Sequence, residues 1–280
     1  MGQEKIRNLY QKKEEGKKIT ALTAYDYCFS LILDEVGIDI ILVGDSLANV
    51  VLGRKDTKEL APEEMMIFAQ AVIKTVKSSL VIVDMPYQSC HVDLASGLRN
   101  AERFFSFGAD GVKIEWFEGC LKLIEAVVKA GIPVVGHIGL TPQTADKLGG
   151  FRVQGRDYRR AKELIYQARK LEEAGCFSLV LECIPAPLSE IITKKVKIPT
   201  IGIGAGPFCD GQILVLYDLI GLFQKYRPKF VRQYINMYNL VKKAVADFKE
   251  DVEKGNFPQT QESFSLPQEV LERIRQDEEI

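Results

Sequence analysis

Short apolar runs alternate with longer amphipathic stretches along most of the chain. Eight runs are near-continuously apolar, as expected for strands buried on both faces of a parallel sheet: residues 19–23, 39–44, 80–85, 111–115, 133–137, 178–183, 199–204 and 218–223. Helix-like segments separate them at residues 27–36, 62–77, 93–107, 119–130, 157–174, 187–195 and 211–216, and residues 230–255 supply an eighth helix. This alternation predicts a parallel α/β fold.

The number of strands decides between two parallel folds. Eight strands with intervening helices fit a closed (β/α)8 barrel, a TIM barrel, better than an open doubly wound sheet. A dinucleotide-binding open sheet would place a glycine-rich turn after its first strand, which is followed here by AYDY. We predict one barrel domain over residues 1–255, with a short N-terminal helix near residues 5–16 that caps the bottom of the barrel. Residues 256–280 are predicted to be a polar C-terminal tail, with room for a short helix near 267–276.

Composition and charge narrow the class of protein. The chain of 280 residues is 46% hydrophobic and 27% charged with a formal net charge of −1, so its charge offers no case for binding nucleic acid or an anionic membrane. The N-terminus lacks the apolar core of a signal peptide, and no apolar run approaches the roughly 20 residues that span a bilayer. The six cysteines are scattered without the spacing of zinc sites or disulfide frameworks. We therefore expect a soluble cytoplasmic protein with reduced thiols.

Ionisable residues fall at the C-terminal ends of five consecutive predicted strands. In GVKIE, Lys113 and Glu115 share one face of the strand, while Val112 and Ile114 share the other. In a barrel these strand ends converge on one rim, where active sites of this fold lie. Each residue alone has a structural explanation, such as a helix cap, a turn or a satisfied core residue, but six on one rim indicate a site. The six are Asp45, Asp84, Lys113, Glu115, His137 and Glu182.

The residue types indicate metal-assisted carbon–carbon chemistry on a keto acid. Asp45, Asp84 and Glu115 are hard oxygen ligands of the kind that Mg²⁺ prefers. Glu182 is then available as a base, and Lys113 as a charge stabiliser or a Schiff-base amine. A metal ion, a base and a fixed cation together suit the formation of an enolate from an α-keto acid.

The motifs that contain these residues resemble those of the ketopantoate hydroxymethyltransferase (3-methyl-2-oxobutanoate hydroxymethyltransferase) family. The resemblance covers about residues 3–264, and its motifs occur in the family's order. They include TALTAYDY (20–27), LVGDSLANVVLG (42–53), VDMPY (83–87), GADGVKIE (108–115), VVGHIGLTPQ (134–143), GGFRVQGR (149–156), LVLECIP (179–185) and IPTIGIGAGPFCDGQILVLYD (198–218).

The resemblance implies a barrel of the phosphoenolpyruvate/pyruvate-type group. The enzyme would transfer a one-carbon unit from 5,10-methylenetetrahydrofolate to 3-methyl-2-oxobutanoate through a Mg²⁺-stabilised enolate, giving 2-dehydropantoate in pantothenate and coenzyme A biosynthesis. In the family pattern Asp45, Asp84 and Glu115 match the metal site, and Glu182 matches the proton acceptor. The positions that hold the keto acid match Asp45, Ser46, Asp84, Lys113 and His137. The family is cytoplasmic and homo-oligomeric, often a homodecamer.

Three other functions stay open at the level of sequence. A Mg²⁺-dependent lyase or aldolase of the same barrel group often carries a reactive cysteine in a K-[KR]-C-G-H context, which is absent here. A Schiff-base aldolase would use Lys113 as a covalent amine, and borohydride would trap it. A binding or regulatory barrel would be expected to have an altered catalytic set, whereas the set in this chain is intact. The fold alone cannot decide between these functions, but the site can.

Overall fold

Eight parallel strands close into a single barrel in the computed structural model, which describes residues 2–277. Their order around the barrel follows the chain, from β1 to β8, and β8 pairs with β1. The predicted (β/α)8 class is therefore confirmed. The strands are β1 Ile19–Thr23, β2 Ile40–Val43, β3 Leu80–Asp84, β4 Gly111–Glu115, β5 Val134–Gly139, β6 Ser178–Glu182, β7 Thr200–Ile203 and β8 Gly211–Leu214.

Helices connect the strands, and several begin at side-chain caps that the sequence supplies. Asp26, Asp93 and Asp157 each accept a hydrogen bond from the backbone N–H three residues further on. None of the helices within residues 2–277 combines the length and the hydropathy needed to cross a bilayer. The helices are α1 Gly2–Glu14, α2 Tyr27–Val36, α3 Leu47–Val50, α4 Pro62–Ile73, α5 Tyr87–Cys90, α6 Leu94–Ser106, α7 Cys120–Lys129, α8 Tyr158–Glu173, α9 Ala186–Lys195, α10 Leu216–Leu219, α11 Met237–Glu253 and α12 Gln268–Gln276.

Strand side chains divide between two hydrophobic layers. The outer layer packs under the helices and includes Val112 and Ile114 of β4. The inner layer fills the barrel with residues such as Ile82, Val135 and Val180. Because side chains alternate along a strand, Lys113 and Glu115 take the inner side of β4, at its C-terminal end. The polar face of GVKIE therefore looks into the mouth of the barrel.

The N-terminal helix α1 closes the opposite end of the barrel, as predicted. Ile6 and Leu9 are buried and join the inner hydrophobic layer. Three lysines of the helix pair with aspartates that directly precede β4, β2 and β8, where the N-terminal ends of the strands lie. The pairs are Lys5–Asp110, Lys12–Asp39 and Lys13–Asp210.

The eighth strand lies elsewhere than the sequence predicted. Residues 218–223 do not form a strand and residues 211–216 do not form a helix, since β8 is Gly211–Leu214 and α10 follows it. The barrel closes through the earlier of these two segments, because Gly211–Leu214 pairs with β1. Gly211 pairs with Ile19 of β1, and a Cβ atom at Gly211 would lie only 2.5 Å from the Ile19 carbonyl oxygen. The close approach of the two strands therefore requires glycine.

The eighth helix also differs from the prediction. It begins at Met237 instead of residue 230, and residues 220–236 form neither helix nor strand. None of its residues is buried, so α11 does not cover the barrel as the other long helices do. The domain boundary at residue 255 stays a prediction.

Candidate active site

All seven predicted site residues line one cavity of about 610 Å³ at the C-terminal ends of the strands. The strand registers explain why they meet. Asp84 of β3 is the register partner of Lys113 of β4, and Glu115 is the partner of His137 of β5. The complete set is Asp45, Ser46, Asp84, Lys113, Glu115, His137 and Glu182.

Asp84 is the centre of a buried polar cluster on one side of the cavity. The Lys113 ammonium lies 2.7 Å from Asp84 Oδ1, and the Asp45 backbone N–H donates a hydrogen bond of 2.9 Å to Asp84 Oδ2. Gly44 makes this approach possible. A Cβ atom at Gly44 would lie 3.0 Å from Ser46 Oγ and 3.5 Å from Asp84 Oδ2, so a larger residue would crowd the turn that presents Asp45.

The charges in this cluster are strongly coupled. Burial raises the pKa of Asp45 to about 6, and the nearby charge of Glu115 adds to the rise. Burial also raises the pKa of Asp84 to about 6, although the Lys113 charge opposes it. For Lys113, burial opposes the charge, but the carboxylates of Asp84, Glu115 and Asp45 outweigh burial and raise the pKa. Lys113 therefore stays cationic, which suits a charge stabiliser and not a Schiff-base amine, which must be neutral to attack.

His137 connects the two remaining carboxylates. Its Nε2 lies 3.2 Å from Glu182 Oε2, and its Nδ1 lies 3.4 Å from Glu115 Oε1 and 3.3 Å from the Lys113 ammonium. Burial and the Lys113 charge disfavour a charged imidazole, but hydrogen bonding to Glu115 and Glu182 outweighs them and raises the pKa of His137 to about 9. A protonated His137 would hold Glu182 in place by one of its oxygens.

The backbone around Glu182 is tightly constrained. Among residues 2–277, Cys183 is the one non-glycine residue with a positive φ, at 48°. Such a conformation costs about 1–3 kcal/mol and commonly occurs at functional sites. The Glu182 carbonyl accepts a 2.9 Å hydrogen bond from the Leu140 N–H, and a Cβ atom at Gly139 would lie 2.1 Å from that carbonyl oxygen. Glycine at residue 139 and the positive φ of Cys183 together fix the backbone on either side of the Glu182 carbonyl, and the Glu182 side chain is 15% exposed.

Two further residues of the site were not found by sequence reasoning. Gln143 is buried, and its Nε2 donates a 2.9 Å hydrogen bond to Asp45 Oδ2, while its backbone N–H donates one of 3.1 Å to Glu115 Oε2. The Tyr25 hydroxyl is 2.8 Å from Ser46 Oγ. Both lie in motifs that carry the family resemblance. Gln143 belongs to a 3₁₀ helix (Pro142–Leu148) beyond β5, so the search for polar residues at strand ends did not include it.

The donor atoms fit a hard divalent cation that keeps part of its water shell. In the part of the chain that the structure describes, no group of three His, Cys, Asp or Glu side chains is placed to hold a metal ion. Mg²⁺ does not require one, since it is usually held by one or two carboxylates with waters and substrate oxygens. Asp84 Oδ1 and Glu115 Oε1 are both buried, and each faces a basic nitrogen: the Lys113 ammonium at 2.7 Å and His137 Nδ1 at 3.4 Å. Buried acceptors of this kind suit a cation and its waters.

The family model for ketopantoate hydroxymethyltransferase matches residues 3–260 of the chain. The chain belongs to the ketopantoate hydroxymethyltransferase family. Two similar proteins named 3-methyl-2-oxobutanoate hydroxymethyltransferase come from Clostridium kluyveri and Moorella thermoacetica. The first is 46% identical over 98% of this chain and 98% of its own length. The second is 47% identical over 92% of this chain and 97% of its own length. The prediction of an enzyme of this family is confirmed.

Solved structures of proteins with low sequence identity to this chain agree on the fold. A phosphonopyruvate hydrolase complex with oxalate and Mg²⁺ has a TM-score of 0.61 at 15% identity and covers 97% of both chains. A 2,3-dimethylmalate lyase, a member of the PEP mutase/isocitrate lyase superfamily, has a TM-score of 0.56 at 16% identity, with 97% and 94% of the chains covered. These likenesses show the fold alone, and they agree with a closed (β/α)8 barrel.

Proposed function

We propose that the enzyme transfers a one-carbon unit from 5,10-methylenetetrahydrofolate to 3-methyl-2-oxobutanoate, giving 2-dehydropantoate for pantothenate and coenzyme A biosynthesis. One observation carries the proposal: a buried ammonium, Lys113, and a partly exposed carboxylate, Glu182, line the same cavity on either side of His137. Such a pair can take a proton from a keto acid and hold the charge that results. The names of the relatives support the keto acid and the product.

Glu182 is the proposed base. The hydrogen on C3 of 3-methyl-2-oxobutanoate is acidic only because its removal gives an enolate with the neighbouring ketone. Glu182 is 15% exposed, and His137 Nε2 contacts its Oε2, so we assign proton transfer to Oε1. A positioned base of this kind contributes roughly 10²–10⁴ in rate.

Lys113 is the proposed stabiliser of the enolate oxygen. It is 5% exposed and keeps its charge beside three carboxylates, and a fixed cation in a site of low dielectric stabilises developing negative charge without having to reorganise. Asp45, Asp84 and Glu115 would hold Mg²⁺, which when bound supplies polarisation of the keto group. Ser46 and His137 would complete the keto-acid site by hydrogen bonding.

The carbon–carbon bond then forms between C3 and the methylene carbon of the donor. The methylene carbon loses both of its bonds to the folate nitrogens, and water supplies the hydroxyl oxygen of the product. The C3 proton and one proton of the water replace the two carbon–nitrogen bonds, which leaves tetrahydrofolate. No oxidant or reductant is needed, because the one-carbon unit keeps the oxidation state of formaldehyde.

Solvent deuterium exchange at C3, followed by proton NMR without folate, tests the first half of this reaction. We expect exchange in the wild-type enzyme with Mg²⁺, and a loss of roughly 10²–10⁴ in rate for Glu182→Gln. Glu118→Gln, at an exposed loop position, is the matched control and should exchange as the wild type does. Unchanged exchange in Glu182→Gln would refute the role of the base. If the wild type forms no product with 5,10-methylenetetrahydrofolate, the transferase proposal fails.

A homo-oligomer in the cytoplasm completes the proposal, with a homodecamer as its expected form. Helix α11 carries a row of exposed apolar side chains spaced by three or four residues, so they share one face. These are Val241, Val245, Phe248 and Val252. An apolar row of this kind on a helix without buried residues suits burial against another copy of the chain. The six free cysteines support a reducing compartment, and cell fractionation tests the location.

A further inference from the structure

Asp218 is a half-buried carboxylate on a backbone that neighbouring contacts hold in place. It lies in α10, where the Leu216 N–H donates a 3.1 Å hydrogen bond to Thr23 Oγ1. The next residue, Tyr217, packs edge-on against Tyr25 with ring centroids 5.6 Å apart. Within residues 2–277, the Asp218 carboxylate takes part in no hydrogen bond or ion pair, and burial is the one cause that shifts its pKa. The fold thus holds this position firmly and leaves its charge unmatched.

The unmatched charge argues against a purely structural role. Burial raises the pKa of Asp218 to about 6, so the folded protein disfavours the charged form without any compensating contact. A structural aspartate would cap a helix or pair with a cation, as Asp26 and Asp210 do. A half-buried carboxylate in a cavity with neither contact is the usual sign of a group that a ligand completes.

Asp218 lines the same cavity as Lys113 and Glu182. Burial raises the pKa of the Tyr25 hydroxyl, and the charges of Asp218 and Asp45 both add to the rise. The charge of Asp45 in the buried polar cluster and the charge of Asp218 in α10 therefore both act on the Tyr25 hydroxyl.

Aromatic side chains line the cavity together with Asp218. They are Phe223, Tyr226 and Phe230. Phe230 is held against Gly204, where a Cβ atom would lie 2.6 Å from its ring, so the glycine leaves room for the ring. Flat apolar surfaces beside a carboxylate suit a planar ring that carries N–H groups on its edge.

The keto acid cannot be the ligand that Asp218 receives. It is an anion, which a carboxylate would repel, and it has no N–H group to donate. The proposed one-carbon donor, in contrast, has a pterin ring that is uncharged and carries N–H donors. A 2-amino-4-oxopyrimidine edge presents two parallel N–H donors, which match the two oxygens of a carboxylate as a guanidinium group does.

We propose that Asp218 binds the pterin ring of the one-carbon donor by accepting hydrogen bonds from its 2-amino group and the adjacent ring N–H. This inference rests on the proposed function, in which the donor is a folate. The assignment places the folate ring between the aromatic side chains of the 223–230 segment, with its methylene carbon directed toward the catalytic cluster. Asp218 is thus a residue that binds and orients the second substrate.

Equilibrium titration of tetrahydrofolate against wild-type enzyme, Asp218→Asn and Asp93→Asn tests the assignment. Asp93 is an exposed helix cap, and asparagine caps a helix about as well as aspartate does, so Asp93→Asn should bind as the wild type does. For Asp218→Asn we expect the Kd to rise about 10- to 100-fold, as when charge-assisted hydrogen bonds are lost. Retained deuterium exchange at C3 of the keto acid reports that the variant is folded.

A folate analogue with methyl in place of the 2-amino group provides the second arm. It should bind the wild type more weakly than tetrahydrofolate, and Asp218→Asn should raise its Kd by a smaller factor than it raises the Kd of tetrahydrofolate, since one of the two hydrogen bonds is already absent. Equal tetrahydrofolate affinity in wild type and Asp218→Asn overturns the assignment, as does loss of exchange in Asp218→Asn, which would place the residue in the keto-acid site. If the wild type itself binds no tetrahydrofolate, the proposed donor fails, and this result is distinct from a loss confined to the variant.

Discussion

Replacing Lys113 with methionine should destabilise the protein strongly, because it removes the cation from a buried cluster of carboxylates. The Lys113 ammonium is 2.7 Å from Asp84 Oδ1, and both side chains are almost fully buried. At that distance, two unit charges attract by about 6 kcal/mol with an effective dielectric constant of 20. Most of this attraction is offset by the desolvation of both groups, but removing one partner leaves the other charge buried, which costs about 3–5 kcal/mol.

The loss of stability in Lys113→Met should depend on pH, because it depends on whether Asp84 is ionised. Burial already raises the pKa of Asp84 to about 6, and Lys113 opposes this rise, so the variant should raise the pKa further. A carboxyl group with a raised pKa in the folded state favours folding at low pH, where it is protonated, and this stability is lost as the pH rises. The difference from wild type should therefore be small near pH 5 and largest near pH 8.

Scanning calorimetry with EDTA at both pH values measures the effect without a bound divalent ion. The free-energy loss corresponds to a fall in Tm of about 6–20 °C for a chain of this size. Lys17→Met is the matched control, because Lys17 pairs with Glu15 at the surface and such pairs contribute about 0–1 kcal/mol. Combining Lys113→Met with Asp84→Asn should recover much of the loss. The reasoning is refuted if Lys113→Met has the same Tm as the wild type at pH 8. It is also refuted if the double variant is no more stable than Lys113→Met.

Two further results are expected. Gln143→Leu should weaken Mg²⁺ binding about 10- to 100-fold by isothermal titration, because Gln143 orients the carboxylates of Asp45 and Glu115; an unchanged affinity would show that the carboxylates are held without it. Light scattering should give the wild type a mass that is a multiple of the 31.4 kDa chain, ten times for the homodecamer, and Val245→Asp on the apolar face of α11 should reduce it. A single-chain mass for the wild type, or an unchanged mass for the variant, would contradict the role of that face.

The candidate site shows which features local sequence can predict. Lys113 and Glu115 were predicted to share a polar face because the period of a strand is two residues, and the structure places both on the inner side of β4. Their meeting with Asp84 and His137 follows from the parallel register, which brings all C-terminal strand ends to one rim. These inferences need only the pattern of each segment and the common geometry of the fold.

The amino-acid sequence by itself thus determined the barrel class, the first seven strands, the capping helix and the strand-end residues, because each depends on local periodicity. Tertiary structure alone decided the eighth strand, since two neighbouring apolar segments competed and close packing against Ile19 selected the one with Gly211. It also decided the place of Gln143, which contacts Asp45 across 98 positions of sequence. Asp218 belongs to the same class, because a lone carboxylate has meaning only once the structure shows what surrounds it.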